Sequence, residues 1–175
     1  LSTDVGPVID DDAKSALEQH IAERESSGLQ VQRIALPKGT DAGCFVAPTI
    51  IEIDSILDLA RENFGPVLHV CRFKAEDLMQ VIADINATGY GLTLGLHSRI
   101  AETRWLVQAH AKVGNFYVNR NQIGAIVESQ PFGGEGLSGT GPKAGGPHYL
   151  ARFAIERVTC VDTTAAGGNA TLLAS

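Results

Sequence analysis

The sequence contains few cysteines, and their spacing argues against both a disulfide framework and a zinc site. The 175 residues contain three cysteines, Cys44, Cys71 and Cys160, and no Cys-x-x-Cys pair. An odd, widely spaced set of this kind makes a disulfide framework or a zinc site improbable. The five histidines are also scattered, without the spacing of metal ligands. We therefore expect no metal, and we expect a protein of a reducing, cytoplasmic compartment.

Basic charge and long apolar runs are lacking as well. Twenty acidic residues outnumber fourteen basic ones, which gives a formal net charge of −6. A nucleic-acid-binding domain would be expected to present a basic face, and no such face is evident. No apolar run approaches the roughly 18 residues of a membrane span. A composition of 44% hydrophobic and 19% charged residues instead favours one folded α/β domain. Because the sequence begins with Leu1 rather than Met, we expect it to be a piece of a longer protein.

The spacing of apolar residues predicts alternating strands and helices. The helix with the clearest pattern begins near Leu78, because Val81, Ile82 and Ile85 continue one apolar face and Gly89 ends it. Strand followed by helix in repetition indicates a mostly parallel sheet with crossover helices. The remaining predictions are helices over 11–26, 54–61, 99–111 and 149–155 and strands over 30–36, 45–53, 67–73, 92–96, 113–118 and 157–164.

A glycine-rich loop follows the strand predicted to end before Asn119. Seven glycines lie between Gly133 and Pro147, directly after Phe132. Glycine at this density is unfavourable inside a helix or strand, but it allows the backbone to approach a ligand closely or to offer N–H groups to an anion. Ligands of parallel sheets collect beyond the C-terminal ends of the strands. We therefore expect this loop to form part of the functional site.

That loop resembles two phosphate-binding motifs without meeting the requirements of either. Residues Gly134-Glu-Gly-Leu-Ser-Gly139 satisfy G-x-G-x-x-G, but no strand precedes them and no helix is predicted to follow, as a dinucleotide fingerprint requires. We interpret the match as accidental. A P-loop is excluded because Pro142 separates Gly141 from Lys143.

Several motifs together resemble the aldehyde dehydrogenase superfamily. Within it, they are similar to the L-glutamate γ-semialdehyde (1-pyrroline-5-carboxylate) dehydrogenase part of bifunctional proline utilization A enzymes. The similarity spans essentially the whole sequence. The motifs that carry it are Gly43-Cys-Phe-Val-Ala-Pro-Thr49, Glu62-Asn-Phe-Gly-Pro66, Gly89-Tyr-Gly-Leu92, Val113-Gly-Asn-Phe-Tyr-Val-Asn119, Gln130-Pro-Phe-Gly-Gly134, Gly136-Leu-Ser-Gly-Thr-Gly-Pro-Lys-Ala-Gly-Gly-Pro147 and Asp162-Thr-Thr-Ala-Ala-Gly-Gly-Asn169.

The resemblance implies an NAD site and a substrate site. Glu62 matches a carboxylate that accepts hydrogen bonds from the nicotinamide ribose, and Phe64 matches an aromatic beside the nicotinamide. Gly124 and Ala125 match a loop that captures the α-carboxylate of the substrate with backbone N–H groups. Asn119 opens that loop, and Phe132 matches an aromatic that walls the aliphatic part of the substrate. Ala125 occupies a position that is Ser in some relatives, so a hydroxyl is absent here.

The same resemblance implies which parts are missing. The superfamily's catalytic cysteine lies in a Gly-Gln-x-Cys motif, and this sequence has none. No catalytic residue is therefore assigned. We expect residues 1–156 to be the C-terminal portion of an incomplete catalytic domain, and residues 157–175 to be an oligomerisation strand and tail.

The expected function is that of a fragment of an NAD-dependent dehydrogenase, inactive alone, whose parent oxidises L-glutamate γ-semialdehyde to glutamate in proline catabolism. FAD is expected only in the proline dehydrogenase half of the parent. The expected partners are the small-molecule substrate, the remainder of the parent enzyme and further copies in a homo-oligomer. Two alternatives stay open, namely an aldehyde dehydrogenase with another substrate and a non-catalytic scaffold or assembly module.

Overall fold

The computed structural model describes residues 5–162 and contains three α-helices and seven strands within that range. Helix α1 (Asp11–Ser26) begins where the Asp10 side chain accepts a hydrogen bond of 2.8 Å from the backbone N–H of Ala13. A side-chain oxygen at this position satisfies one of the backbone N–H groups that a helix start leaves unpaired. The sequence therefore predicts the bounds of this helix correctly.

A three-stranded sheet follows α1. Its strands are β1 (Val31–Arg33), β2 (Thr49–Glu52) and β3 (Val67–Val70), with β2 in the centre. Strand β1 pairs with β2 in antiparallel fashion, and β2 pairs with β3 in parallel. All three strands are shorter than the sequence predicts, and β3 ends at Val70 rather than at residue 73. Pro48 lies directly before β2, and it has no N–H to contribute to a ladder.

The core of this part lies between α1 and one face of the sheet. Leu17 and Ile21 of α1 pack with Val46, Ile51 and Ile53. Ile51 is completely buried, whereas Ile50, its neighbour on β2, is 41% exposed. Alternation of this kind is expected because successive strand residues point to opposite faces of a sheet.

The second half of the chain contains a parallel strand pair with a crossover helix. Helix α2 (Leu78–Ala87) comes first and leads to β4 (Tyr90–Gly91) and β5 (Thr93–Leu96). Helix α3 (Ala101–His110) then connects β5 to β6 (Asn115–Val118), and β5 and β6 pair in parallel. This is the strand–helix–strand arrangement that the sequence predicts, and the α/β class with parallel strands is confirmed.

The glycine-rich loop contributes the short strand β7 (Glu135–Gly136), which pairs with β4 in antiparallel fashion. Further 3₁₀ turns cover Thr40–Ala42, Ile56–Asp58, Ala75–Asp77 and Leu150–Phe153. The predicted helices over 54–61 and 149–155 are thus single turns. No helix within residues 5–162 is both long and apolar enough to cross a membrane.

The predicted strand over 157–164 is not formed in its described part. Residues 154–162 have no regular secondary structure, and residues 163–164 lie outside the described range. A strand requires a partner that supplies the other half of the hydrogen-bond ladder. The expected tail and its oligomerisation role therefore stay predictions, as does the boundary at residue 157.

The described chain divides into two compact units. One contains residues 5–123 and 133–141, and the other contains residues 124–132 and 142–162. The first unit holds all the strands and α-helices named above. The second consists of two loop segments joined by an antiparallel bridge between Phe132 and Ala144.

Candidate functional site

Glu62 and Phe64, the two residues expected to contact NAD, line one cavity in the first unit. The cavity has a volume of about 200 Å³, and α1 supplies Ala13, Ala16 and Leu17 to its wall. Phe64 is 79% exposed, so its ring is accessible to a ligand. A carboxylate and an open aromatic ring therefore share one opening beside a helix that contributes two alanines and a leucine to the wall.

The Gly65–Pro66 turn brings this segment close to α1. A Cβ atom added to Gly65 would overlap the methyl groups of Leu17. The absence of a side chain at Gly65 therefore lets the Glu62–Phe64 segment lie against the helix without displacing Leu17.

Glu62 also lines a second cavity, of about 260 Å³. Its lining includes Arg61, His69, Thr88 and Tyr90. Ile56, Leu59 and Ile85 complete this lining with apolar side chains. Glu62 is therefore placed between two openings and is available to either.

Asn119 lies directly after β6 and is held by the end of β5. Its Oδ1 accepts a hydrogen bond of 2.9 Å from the N–H of Ser98, and its Nδ2 donates one of 3.0 Å to the carbonyl of Ser98. The backbone is left-handed here, with φ of 55°. Asn tolerates this conformation better than most residues. The amide of Asn119 is therefore engaged in shaping the chain.

Gly124 and Ala125 lie between two residues whose backbone N–H groups already donate hydrogen bonds within the chain. The N–H of Ile123 donates to Oδ1 of Asn121 at 3.2 Å, and the N–H of Ile126 donates to the carbonyl of Gln130 at 3.0 Å. Gly124 has a φ of 113°, a conformation open to glycine. Within the described residues, the N–H of Ala125 makes no hydrogen bond. The amides on either side of the expected carboxylate anchor are thus used within the chain.

Phe132, the expected aromatic wall, is partly buried in the second unit. Its backbone N–H and carbonyl exchange hydrogen bonds of 3.0 and 2.9 Å with Ala144. The pairing fixes the backbone of Phe132, so any contact with a ligand would be made by its ring.

Arg120 is a polar residue of this region that the sequence reasoning did not single out. Its guanidinium lies over the ring of Tyr117, 4.8 Å from the centroid, and donates to the carbonyls of Asn121 and Ile123. The only signal in the sequence is a basic residue just after a strand end, which by itself is not specific.

The G-x-G-x-x-G stretch does not open a helix. Gly136 lies in strand β7, and the N–H of Ser138 returns to the carbonyl of Glu135 in a turn. A pyrophosphate-binding loop needs the N-terminus of a helix behind it. The geometry therefore agrees with an accidental match.

The cysteines and histidines offer no nucleophile or metal centre in the described range. Cys44 donates to Oδ1 of Asp11 at 3.3 Å, and this hydrogen bond, followed by burial and the negative charge, raises the pKa of the thiol. Cys71 packs against the core, while Cys160 is exposed, although a β-type run around it predicts burial. No group of three or more potential metal ligands occurs in residues 5–162.

Comparison with known proteins identifies the family. The profile of the Aldehyde dehydrogenase family matches residues 1–158. The chain belongs to the aldehyde dehydrogenase family. It is 57% identical over 153 residues to the bifunctional protein PutA of Rhizobium meliloti, covering 87% of this chain and 12% of that protein.

Two solved structures are similar to this aldehyde dehydrogenase chain. One is a variant of Bradyrhizobium japonicum proline utilization A, with a TM-score of 0.82 and 54% identity, covering 89% of this chain and 16% of that one. The other is 1-pyrroline-5-carboxylate dehydrogenase from Thermus with bound NAD, with a TM-score of 0.71 and 35% identity, covering 85% and 28%. The chain thus spans about an eighth of the length of the curated relatives. It corresponds to part of the dehydrogenase domain.

Proposed function

We propose that this chain supplies nicotinamide-ribose contacts and a substrate-carboxylate anchor to an NAD-dependent dehydrogenase. The proposed reaction is the oxidation of L-glutamate γ-semialdehyde to L-glutamate in proline catabolism. The proposal is supported by the similarity to PutA and to 1-pyrroline-5-carboxylate dehydrogenases. FAD would belong to a proline dehydrogenase part outside this chain, and the assembled enzyme would be a cytoplasmic homo-oligomer.

The observation that carries the cofactor assignment is the cavity shared by Glu62 and Phe64. A carboxylate accepts hydrogen bonds from two neighbouring hydroxyl groups, which suits a ribose. An exposed aromatic ring can cover one face of a nicotinamide and keep water from it. The small side chains of Ala13 and Ala16 leave room beside both groups. Bound NAD would supply the hydride acceptor there.

The substrate anchor is proposed for Gly124 and Ala125. Backbone N–H groups are suited to bind a carboxylate, because they are fixed donors that bring no mobile side chain. Phe132 would pack against the methylene groups between the carboxylate and the aldehyde. Asn119 would set the start of the loop from the end of β6 without touching the substrate.

The nucleophile of the proposed reaction would come from outside this sequence. Gly-Gln-x-Cys is absent, and Cys44 is stabilised as a thiol by Asp11. We therefore expect the 175 residues alone to produce no NADH from the semialdehyde and NAD.

The test uses a chimaeric enzyme, defined as the Rhizobium meliloti PutA with this chain in place of its matching segment. In this enzyme Glu62→Gln should raise the KM for NAD roughly tenfold, because the charge is removed and one of the two acceptor oxygens becomes an NH2 donor. The matched control is Glu25→Gln, an exposed glutamate near the end of α1, which should leave the KM unchanged. A chimaeric enzyme that turns over the semialdehyde with the same KM for NAD in both variants would remove Glu62 from the site.

A further inference from the structure

Residues 126–130 form a narrow hairpin within the second unit. Ile126 and Gln130 exchange two backbone hydrogen bonds, of 3.0 and 2.7 Å, so the three residues between them make the tip. Glu128, in the middle of that tip, has a left-handed backbone with φ of 71°. Glycine adopts this conformation without steric cost, whereas a residue with a Cβ atom is strained in it. The hairpin therefore places a carboxylate where its backbone favours glycine.

A neighbouring segment of the same unit holds Glu128 in this conformation. The N–H of Glu128 donates to the carbonyl of Gly145 at 2.9 Å. Gly145 has a φ of 73°, and a Cβ atom added to it would lie 3.2 Å from Cα of Val127. The close approach of these two backbone segments thus imposes the strain at Glu128. Strain that the surrounding structure imposes is common at sites that bind ligands.

Glu128 lines a cavity of about 590 Å³ whose walls belong to the second unit alone. The ring of Tyr149 forms part of the wall and meets that of Phe153 edge to face, at a centroid distance of 5.4 Å, which limits its rotation. Aliphatic side chains and glycine backbone complete the lining, supplied by Val127, Gly145, Gly146, Pro147 and Leu150. The volume is typical of a pocket for a small molecule.

The charge in this cavity is that of one carboxylate. Among the described residues that line the cavity, Glu128 is the only charged one. Its carboxylate has no hydrogen-bond or ion-pair partner within residues 5–162. It would repel an anion, and one carboxylate supplies too few ligands for a metal ion. A cation with an apolar body fits the lining, because the carboxylate attracts its charge and the tyrosine face adds a cation–π attraction.

We propose that this cavity is a binding site for an alkylammonium ion, which is a positively charged amine on an aliphatic chain. The ammonium group lies beside the carboxylate of Glu128 and against the ring of Tyr149, and the aliphatic chain packs against Pro147 and Leu150. Free amines and lysine side chains both carry this group. None of the residues proposed to contact NAD or the semialdehyde lines the cavity, so the inference does not depend on the proposed function.

The test titrates the 175-residue chain with n-pentylamine at pH 7 and low ionic strength, followed by NMR chemical shifts. The neutral 1-pentanol and the anionic pentanoate are the control ligands. The amine should bind about fivefold or more tightly than either, and added salt should weaken its binding. Glu128→Gln should abolish this preference by removing the charge. Glu156→Gln is the matched control, at an exposed glutamate of the same unit that does not line the cavity.

Two further sets of variants separate loss of the site from loss of the fold. Glu128→Gly removes the carboxylate and relaxes the left-handed backbone, so it should raise the melting temperature while it abolishes the preference for the amine. Tyr149→Leu should weaken binding of the amine about threefold, whereas Tyr149→Phe should retain it, because the aromatic face supplies the attraction.

A lysine derivative distinguishes the two sources of the ammonium group. Nα-acetyl-lysine N-methylamide that binds at least as tightly as n-pentylamine would support a lysine side chain of a protein as the occupant, and weaker binding would support a free amine. Equal binding of n-pentylamine and 1-pentanol by the parent chain would overturn the proposal. A preference for the amine that survives in both Glu128→Gln and Glu128→Gly would overturn it as well.

Discussion

His20 of α1 and His69 of β3 lie with their Nε2 atoms 2.8 Å apart, and their rings meet edge to face at a centroid distance of 5.1 Å. A hydrogen bond between two such atoms needs one protonated and one unprotonated nitrogen. The pair therefore tolerates one donor but not two charged rings. It ties together α1 and the strand that follows the Glu62–Phe64 segment, so the cavity wall depends on it.

The surroundings of this pair favour its neutral form. Burial lowers the pKa of His20 from its ordinary value of 6.5, and the charge of Arg24 lowers it further, against an opposing effect of Glu23 and with a smaller one from Arg61. Burial, followed by the charges of His20 and Arg24, lowers the pKa of His69. The folded chain thus binds protons at these sites less readily than the unfolded chain does.

This difference predicts that acid destabilises the chain. Below about pH 6.5 the histidines of the unfolded chain bind protons, whereas those of the folded chain stay neutral. As the pH decreases, the free energy of unfolding should therefore decrease by up to about 1.4 kcal/mol per pH unit for each extra proton. The fall should stop below the folded pKa values, and the full stabilisation should be present above neutral pH. Urea unfolding of the 175-residue chain between pH 5 and 8 measures it.

The double variant His20→Phe/His69→Phe keeps the edge-to-face packing and removes the titrating atoms. It should flatten the pH dependence, whereas His97→Gln, at an exposed histidine, should leave it unchanged. An unaltered slope in the double variant would show that other groups cause the acid sensitivity.

Burial on β2 predicts a large contrast between two neighbouring isoleucines. Ile51 is completely buried and Ile50 is 41% exposed. Ile51→Ala should destabilise the chain by about 2–5 kcal/mol, because it leaves a cavity in the core. Ile50→Ala should cost roughly 1 kcal/mol or less. Equal losses in the two variants, measured by urea unfolding, would mean that the exposed face of the sheet is covered in solution.

Gly114 allows a close approach of two backbone segments. A Cβ atom at this position would overlap the carbonyl of Gly133. Because backbone cannot rotate away, Gly114→Ala should cost about 3 kcal/mol or more, above the usual range for overpacking. Gly6→Ala is the matched control, since a Cβ there would meet no atom within 4 Å. Equal melting temperatures for the two variants would contradict the close approach.

The elements that could be predicted are those with local causes. Helix α1 has its cap at Asp10 and its apolar spacing within one stretch of sequence, and α2 has a similar pattern. The pairing of β7 with β4 joins residues more than forty positions apart, and glycines carry no apolar pattern that would indicate it. The predicted strand over 157–164 failed in its described part because β propensity does not supply a partner.

The candidate site shows the same division. Glu62 and Phe64 could be named because a short motif carries them, but the motif does not reveal that α1 closes their cavity with small side chains. The contacts of Arg120 could not be found from the sequence, because they depend on the burial of Tyr117 and on the path of residues 121–123. Local motifs thus identify contacts, whereas tertiary packing determines which neighbours orient them.

The wall that α1 contributes makes the NAD assignment testable without altering Glu62 or Phe64. Ala16 lines their cavity, whereas Ala22 is an exposed alanine of the same helix that does not. Ala16→Phe should fill much of a cavity of about 200 Å³ and raise the KM for NAD in the chimaeric enzyme at least tenfold, with little change in melting temperature because the site is on the surface. Ala22→Phe introduces the same ring with the same helix propensity and should leave the KM unchanged. If both variants keep the parent KM, NAD does not enter this cavity, and Glu62 would instead serve the second cavity, beside His69.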